Sequence, residues 1–143
     1  MPDRPQSDNP RPNASSDLSG TFELHRRLVE RLPHAVSVWH QEDPSDPGSF
    51  RFLFLNSAAE RVDNVSYEFL QGKTLREAFP DFLETEGPAR YVEAIETGRV
   101  QELPDFQYGD SVVPKGTYSV RLVPLGARNI AVIFENVTEL KAA

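Results

Sequence analysis

The sequence predicts an α+β domain with a five-stranded antiparallel sheet, short helices inserted between the second and third strands, and an amphipathic helix in front. Two observations support this prediction. First, runs rich in β-branched and aromatic residues, separated by turn-forming residues, cover 35–41, 50–56, 100–108, 116–124 and 129–136. Second, the apolar spacing changes to a helical period between the second and third runs. Strands with helices grouped in one insertion are typical of an α+β domain.

The N-terminal part divides into a polar tail and a helix. Residues 1–20 are rich in proline and small polar side chains, so we predict a disordered tail. Residues 21–33 place Leu24, Leu28 and Leu32 four positions apart, with charged side chains between them. This spacing predicts an amphipathic helix that ends at a proline, and such a helix needs an apolar surface to lie on.

The inserted helices are predicted from capping residues. Ser57 and Glu60 have the spacing of a capping box, in which a hydroxyl and a carboxylate each accept from a backbone N–H of the first turn. Thr74 and Glu77 have the same spacing. A further helix is expected to end at Gly98, since glycine adopts the left-handed conformation that terminates many helices.

Composition excludes several classes of function. The chain of 143 residues has no cysteine, which rules out disulfides, cysteine-bound metals and a thiol adduct with a chromophore. Its formal net charge of −7 argues against nucleic acid and against an anionic membrane as partners. Residues 1–20 lack the apolar segment of a signal peptide, and no run is long enough to cross a bilayer, so we expect a cytoplasmic protein.

No catalytic or metal-binding residue is predicted. His25, His34 and His40 lack metal-ligand spacing, and no nucleophile, phosphate-binding or dinucleotide motif is present. We therefore predict that the protein is not an enzyme.

Three segments occur in the order known from one family. Leu55-Asn-Ser-Ala-Ala-Glu-Arg61 is similar to the N-x-A-x-E segment that follows the second strand of PAS domains. Phe69-Leu-Gln-Gly-Lys-Thr-Leu-Arg-Glu-Ala-Phe-Pro80 is similar to their L-x-G-K/R-x-L-x-E-x-F-P stretch, and Asn136-Val-Thr138 stands where they usually have Asp-Ile-Thr. From about residue 28 to residue 140 the chain therefore resembles PAS domains. The resemblance implies a sensory or protein-interaction module of bacterial-type, two-component signal transduction.

The resemblance also bears on cofactors. Photoactive flavin-binding members use a cysteine, which this chain lacks, and many haem-binding members present a histidine from the helix before the third strand. Residues 88–97 contain no histidine, and a packed tyrosine is expected at Tyr91 rather than an iron ligand. We predict no cofactor and leave open a non-covalent flavin or a small ligand of unknown identity.

One face of the sheet is expected to line an apolar cup closed by the helices. By strand alternation and by the family resemblance, the candidate ligand-binding residues are Ser37, Trp39, Tyr91, Ile95, Tyr118, Val120, Leu122, Ile130, Val132 and Phe134. Trp39 and Tyr118 would bring a polar tip into this apolar site. The alternative is that these side chains fill the cup, which would leave a ligand-free dimerisation scaffold.

The other face of the sheet is also apolar. Together with the N-terminal helix it supplies the candidate contact residues Leu24, Leu28, Leu32, Val36, Val38 and Ile133. A contiguous apolar patch of this kind marks an interaction site unless something covers it. The helix would lie on its own sheet or pair with a second copy. PAS-like domains often dimerise through such a helix, so we predict a homodimer.

The last strand leads to the predicted exit of the domain. Residues 34–138 make up the domain, residues 139–143 begin the segment that leaves it, and Asn136 and Thr138 are the signal-exit residues. Asn136 replaces the usual aspartate of the family, which removes a charged pair at this position. In relatives such an exit leads to a kinase or cyclase-type output domain. Whether an output domain or a separate partner protein follows is left open.

A small enzyme is the second hypothesis. A cone-shaped α+β fold of the ketosteroid-isomerase type would use Asp105 as a base and Tyr118 as a hydrogen-bond donor in an apolar cavity. The order of elements argues against this hypothesis, because such cones begin with long helices rather than with a strand hairpin.

Overall fold

A computed structural model describes residues 14–139 and confirms the predicted fold class. One helix precedes two strands, four short helices follow, and three strands complete the chain. The bounds are α1 Ala14–Arg31, β1 Ala35–Gln41, β2 Phe50–Leu55, α2 Ser57–Asp63, α3 Tyr67–Leu70, α4 Leu75–Ala78, α5 Gly87–Thr97, β3 Gln101–Tyr108, β4 Gly116–Gly126 and β5 Asn129–Asn136. Short 3-10 turns at Pro47–Ser49 and Pro80–Glu84 lie in the connections.

The five strands form one antiparallel sheet in the order β2-β1-β5-β4-β3. The last strand of the chain is therefore the central one. Ser37 of β1 pairs with Leu55 of β2 on one side and with Val132 of β5 on the other. β5 has a neighbouring strand on each side, and its side chains on both faces are mostly apolar. Its sequence is accordingly a nearly continuous apolar run.

The predicted capping box at Thr74 is confirmed. Its hydroxyl accepts from the backbone N–H of Glu77, and the Glu77 carboxylate accepts from the backbone N–H of Thr74. The box predicted at Ser57 is wrong, because the helix cap is the preceding residue, Asn56. Ser57 is instead the first helical residue, and its hydroxyl contacts the Glu30 carboxylate of α1.

Asn56 joins three elements through a fully buried side chain. Its Oδ1 accepts from the backbone N–H groups of Val36 at 3.0 Å and Ala59 at 2.9 Å. Its Nδ2 donates to the carbonyl oxygens of Val29 and His34, both at 2.9 Å. A buried amide with all four bonds made holds the end of α1 against β1 and the start of α2.

Helix α1 begins at Ala14, which corrects the predicted start at residue 21. The sequence permits the earlier start, because the prolines end at position 12 and alanine has the highest helix propensity. The rest of the predicted tail, residues 1–13, lies outside the described residues. Leu24 and Leu28 are 65% and 61% exposed, so their apolar stripe is not covered by the chain's own sheet.

The core lies between the helices and one face of the sheet, called the inner face here. Its largest fully buried apolar side chains come from β2, α3, α4, β4 and β5, namely Phe50, Leu70, Leu75, Leu122 and Ile130. Within the described part of the chain, no helix has the length and apolar character needed to cross a membrane.

Candidate functional site

A cavity of about 80 Å³ separates the inner face of the sheet from the short helices. Most of its wall is apolar or aromatic, and all strands except β2 contribute to it. The lining residues are Ser37, Trp39, Asp63, Leu75, Phe79, Phe82, Tyr91, Leu103, Phe106, Tyr108, Val113, Tyr118, Val120, Val132 and Phe134. A concave, largely apolar site with a few polar groups is the usual form of a small-ligand site.

Most of the candidate ligand-binding residues lie on this wall. The structure brings together Ser37, Trp39, Tyr91, Tyr118, Val120, Val132 and Phe134. Leu122 and Ile130 share the inner face but are fully buried in the core, and Ile95 packs against the core from α5. These three residues lie in or against the packed core rather than on the cavity wall, and α5 packs against β4 and β5.

Sequence reasoning missed several lining residues. They come from the short helices and the edge strand β3, and they are Asp63, Leu75, Phe79, Phe82, Leu103, Phe106, Tyr108 and Val113. Alternation along β3 could have found Phe106 and Tyr108, which lie two positions apart and face the same side. No sequence signal identifies Asp63, because its position depends on where α2 ends above the sheet.

Phe82 is at the centre of the aromatic wall. Its ring centroid lies 5.5 Å from that of Tyr91, 5.9 Å from that of Phe106 and 5.5 Å from that of Tyr108. A Cβ at Gly87 would lie only 2.2 Å from Cζ of Phe82. The position of this ring therefore requires glycine at the start of α5.

Three polar tips of the wall are held by neighbouring groups. Trp39 Nε1 donates to Ser37 Oγ at 3.0 Å, which satisfies the indole N–H inside the apolar site. The Tyr118 hydroxyl donates to the Pro114 carbonyl at 2.5 Å, and burial raises the pKa of Tyr118 to about 12. The Tyr108 hydroxyl donates to the Asp110 carboxylate. Because the N–H of Trp39 and the hydroxyls of the two tyrosines are bonded to these groups, it is the aromatic rings that face the cavity.

Asp63, the last residue of α2, provides the one charged side chain among the described lining residues. Its carboxyl makes no hydrogen bond or ion pair with any residue that the structure describes. Desolvation and, to a smaller extent, the negative charge of Asp110 together raise the pKa of Asp63 to about 7. Near neutral pH this carboxyl is therefore divided between its protonated and ionised forms.

Asp110 behaves differently although it lies nearby. Desolvation acts to raise its pKa, but hydrogen bonds from Tyr108 and from the backbone of Val113 and Val112 outweigh that effect and hold the pKa below its usual value. Asp110 therefore stays ionised at neutral pH, in contrast to Asp63.

The predicted exit residues are bonded to each other and to β4. Asn136 Oδ1 accepts from the Thr138 hydroxyl at 2.5 Å and from the Thr138 backbone N–H at 3.0 Å. Thr138 Oγ1 in turn accepts from the backbone N–H of Thr117 at 2.9 Å. The chain becomes helical at Thr138 and Glu139, and the rest of the predicted exit, residues 140–143, lies outside the described residues.

The other candidate contact residues lie on the opposite face of the sheet, called the outer face here. Val36 pairs with Ile133, and Val38 pairs with Ala131. Val36 is buried, whereas Val38 and Ile133 are partly exposed. Leu24, Leu28 and Leu32 of α1 are all exposed in the single chain. The structure thus keeps the helix stripe off the outer face.

The residues of the isomerase hypothesis are not brought together. Tyr118 lines the cavity, but Asp105 is exposed on β3 and is not part of the cavity wall. A base outside the cavity cannot take a proton from a ligand inside it. Within residues 14–139 no group of carboxylates and histidines is arranged to hold a metal ion.

Solved structures of low sequence identity share this fold. A domain of a sensory box sensor histidine kinase/response regulator from Geobacter sulfurreducens is 13% identical with a TM-score of 0.62, covering 83% of this chain and 96% of that chain. The PAS domain of BvgS from Bordetella pertussis is 17% identical with a TM-score of 0.52, covering 89% and 90%. A LOV protein from Rhodobacter sphaeroides is 15% identical with a TM-score of 0.61, covering 87% and 74%. No curated protein sequence matches the chain.

The family model described as the PAS fold matches residues 48–142, and the chain belongs to this family. The resemblance predicted from three short motifs is thereby confirmed. The chain therefore has the PAS fold, which it shares with structures described as sensory box sensor histidine kinases.

Proposed function

We propose that the cavity is a sensing site and that its occupancy sets the geometry of β5 and of the exit at Asn136 and Thr138. The observation that carries this proposal is the alternation along β5. Val132 and Phe134 line the cavity, whereas Ile133 between them lies on the outer face. A ligand that pushes on the inner side of this central strand therefore acts on a residue of the outer face and on the exit that follows.

The second part of the proposal is a homodimer formed through α1 and the outer face. The exposed stripe of Leu24 and Leu28 needs an apolar partner, and the partly exposed side chains of Val38 and Ile133 offer one in a second copy. Asn56 fixes the end of α1 to the sheet, so a change in the sheet alters how the two helices meet. Dimer geometry is then the output of the module.

The partner of this output is proposed from the relatives. Structures with this fold are described as domains of sensor histidine kinases from Geobacter sulfurreducens and Vibrio cholerae. We propose that the exit after Thr138 likewise controls a kinase or cyclase-type output domain, or a separate partner protein. The cytoplasmic location stays a prediction from the sequence.

We propose that the module binds its ligand without reacting with it, and that it carries neither haem nor flavin. No cysteine or histidine is among the described lining residues, so neither a flavin adduct nor a histidine-bound haem fits this wall. Burial raises the pKa of Tyr91 above its usual value, which opposes the phenolate form that an iron ligand requires. A cavity of about 80 Å³ is also too small for either group.

Native mass spectrometry and an absorbance spectrum of the purified protein test the ligand part of the proposal. We expect a colourless protein at the mass of the polypeptide or of the polypeptide plus a small molecule. Absorbance in the flavin or haem region would contradict the cofactor proposal. A chain that binds no small molecule in any screen yet dimerises would favour the ligand-free scaffold.

Light scattering of two matched variants tests the dimer. Leu28→Glu introduces a charge into the helix stripe, whereas Val100→Glu introduces one at a residue that is also exposed, 52%, next to the edge strand β3. We expect a dimer for the native chain and for Val100→Glu, and a monomer for Leu28→Glu. A native mass that stays monomeric at all concentrations would overturn the dimer proposal.

A further inference from the structure

The cavity wall combines two features that rarely meet in a core. Most of the ring-bearing side chains of the domain surround it, including Trp39, Phe82, Tyr91 and Tyr108, and Asp63 places a single carboxyl on the same wall. Aromatic faces carry negative charge density and attract cations, most strongly when water is excluded. A carboxylate at an aromatic wall is complementary to a positive charge with an apolar body.

The Asp63 carboxyl has no partner that would explain its position. No Lys, Arg or His side chain pairs with it among the described residues, and it makes no hydrogen bond to them. It is the last residue of α2, where the helix dipole is negative and opposes a negative side chain. Asp63 is partly exposed, but ionising an unpaired carboxyl on an apolar wall is still unfavourable, so a cation beside it would stabilise the charged form.

The tyrosines near Asp63 do not compete with it as the partner of a positively charged ligand. The hydroxyls of Tyr108 and Tyr118 already donate to Asp110 and Pro114 respectively, which leaves their rings as the groups facing the cavity. Tyr91 is buried, and its hydroxyl has no hydrogen-bond partner within the described residues. It remains available as a neutral donor or acceptor for a second polar group of a ligand.

We propose that the cavity binds a small organic ammonium ion, with its charged nitrogen against the Asp63 carboxyl and the aromatic faces. The inference rests on the proposed function, namely that the cavity is a sensing site, and adds the chemical class of the ligand. A volume of about 80 Å³ accepts a ligand of roughly five to eight non-hydrogen atoms, by comparison with the ~10–15 Å³ that one water needs.

Binding of such an ion depends on pH through Asp63. The titratable groups that face it are Asp110 from the β3–β4 connection, Tyr91 from α5, Tyr108 from β3 and Tyr118 from β4. The pKa of Asp110 is lowered and those of the three tyrosines are raised, so none of these groups titrates between pH 6 and pH 8. Over that interval Asp63 goes from about one-tenth to about nine-tenths ionised, so affinity for a permanent cation should rise about tenfold.

Two probes of the same shape, one charged and one neutral, distinguish the effect of a ligand's charge on binding from the effect of its size. Choline carries a quaternary nitrogen, and 3,3-dimethyl-1-butanol replaces that nitrogen by carbon. Trp39 is the single tryptophan of the chain and lines the cavity, so its fluorescence reports occupancy directly. Titrations at pH 6 and pH 8 should give at least tenfold tighter binding of choline than of the alcohol at pH 8, and a difference between the two pH values for choline alone.

Matched variants assign the effect to one carboxyl. Asp63→Asn should weaken choline binding at least tenfold at pH 8 and leave the alcohol unchanged. Glu68→Gln removes the same charge from an exposed residue of α3 and should change neither affinity. Equal affinity for both probes, with no effect of Asp63→Asn, would overturn the cation inference but leave the sensing cavity in place. Binding of neither probe would also overturn the cation inference, whereas the sensing cavity itself is tested separately by native mass spectrometry.

Discussion

Thr138 Oγ1 accepts a hydrogen bond from the backbone N–H of Thr117 at 2.9 Å, which ties the exit of the domain to the start of β4. The neighbouring Val137 backbone N–H donates to the Thr117 carbonyl at 2.8 Å. The segment leaving the domain is therefore held by a strand of the cavity wall as well as by β5, from which it continues.

Thr138→Ala removes this tie. We expect a loss of about 1 kcal/mol in the free energy of unfolding, because the two hydrogen bonds of this hydroxyl, to Thr117 and Asn136, lie at an exposed site. We also expect a changed dimer fraction if the exit controls how two copies meet. Urea unfolding and light scattering measure the two quantities, with Thr138→Ser, which keeps the oxygen, as the control. Unchanged stability and quaternary structure would show that the coupling assigned to this residue is wrong.

Gly116→Ala tests the same contact from the other strand. A Cβ at residue 116 would lie 2.3 Å from Thr138 Oγ1, so the exit must shift to admit it. We expect a larger destabilisation than in Thr138→Ala, roughly 1–3 kcal/mol as for other overpacked sites. The double variant should regain part of this loss, because the oxygen that clashes is gone. Strict additivity in thermal unfolding of the two single variants and the double variant would contradict this account.

Asn56→Ala should be among the most destabilising single changes in the chain. It leaves two backbone N–H groups and two carbonyl oxygens without the partners that the buried amide provides. Buried groups left unpaired cost about 1–3 kcal/mol each, so we expect a total loss of about 3 kcal/mol or more. Ser57→Ala, which removes only the contact to Glu30, is the neighbouring control. Similar unfolding midpoints for the two variants would refute the assigned role.

Asp63 makes stability depend on pH in an unusual direction. The pKa of the Asp63 carboxyl is 3.8 in an unfolded chain and about 7 in the folded protein. The folded protein therefore binds this proton more tightly than the unfolded chain does. The stabilising effect of protonation is complete below about pH 4 and is lost as the pH rises through about 7. We expect Asp63→Asn to gain stability relative to the native chain between pH 5 and pH 8, by roughly 4 kcal/mol at most. Urea unfolding across that range measures the difference, and a flat difference would contradict the raised pKa.

The turn between β4 and β5 should tolerate glycine better than its native alanine. Ala127 has a φ of 53° and Arg128 a φ of 61°, both in the left-handed region that disfavours side chains. Ala127→Gly is expected to stabilise the fold by about 1 kcal/mol. The same change at Ala89, an exposed residue in α5, should destabilise by about 0.5–1 kcal/mol. Differential scanning calorimetry distinguishes these signs, and a loss at both sites would contradict the conformational argument.

The five strands were accessible from the sequence because each signal was local. The run from Asn129 to Asn136 is apolar on both faces, which is typical of a strand whose two faces are both covered. The capping box at Thr74 and the glycine at the end of α5 acted through residues close in sequence, and the structure confirms both. At Ser57 the local spacing misled, since Asn56 finds partners far along the chain that no local pattern reveals.

The cavity was only partly accessible. Strand alternation together with the family resemblance identified Trp39, Tyr118 and Val132 on the inner face, since period-two geometry decides which side chains share a face. It did not separate Leu122 and Ile130, which share that face but are buried in the core and do not line the cavity. Whether a side chain lines a space or fills it depends on how closely a helix approaches, and this distance is a property of the packed fold.

The sequence by itself therefore determined the family, the antiparallel sheet and the inner-face residues of β1, β4 and β5, because these follow from apolar periodicity and short motifs. The tertiary structure alone decided that Asp63 lies unpaired on an aromatic wall, that Phe82 fits against Gly87, and that the α1 stripe stays exposed. Each of these depends on residues distant in sequence meeting at a specific distance, and pairwise distances of that kind arise only when the helices pack on the sheet.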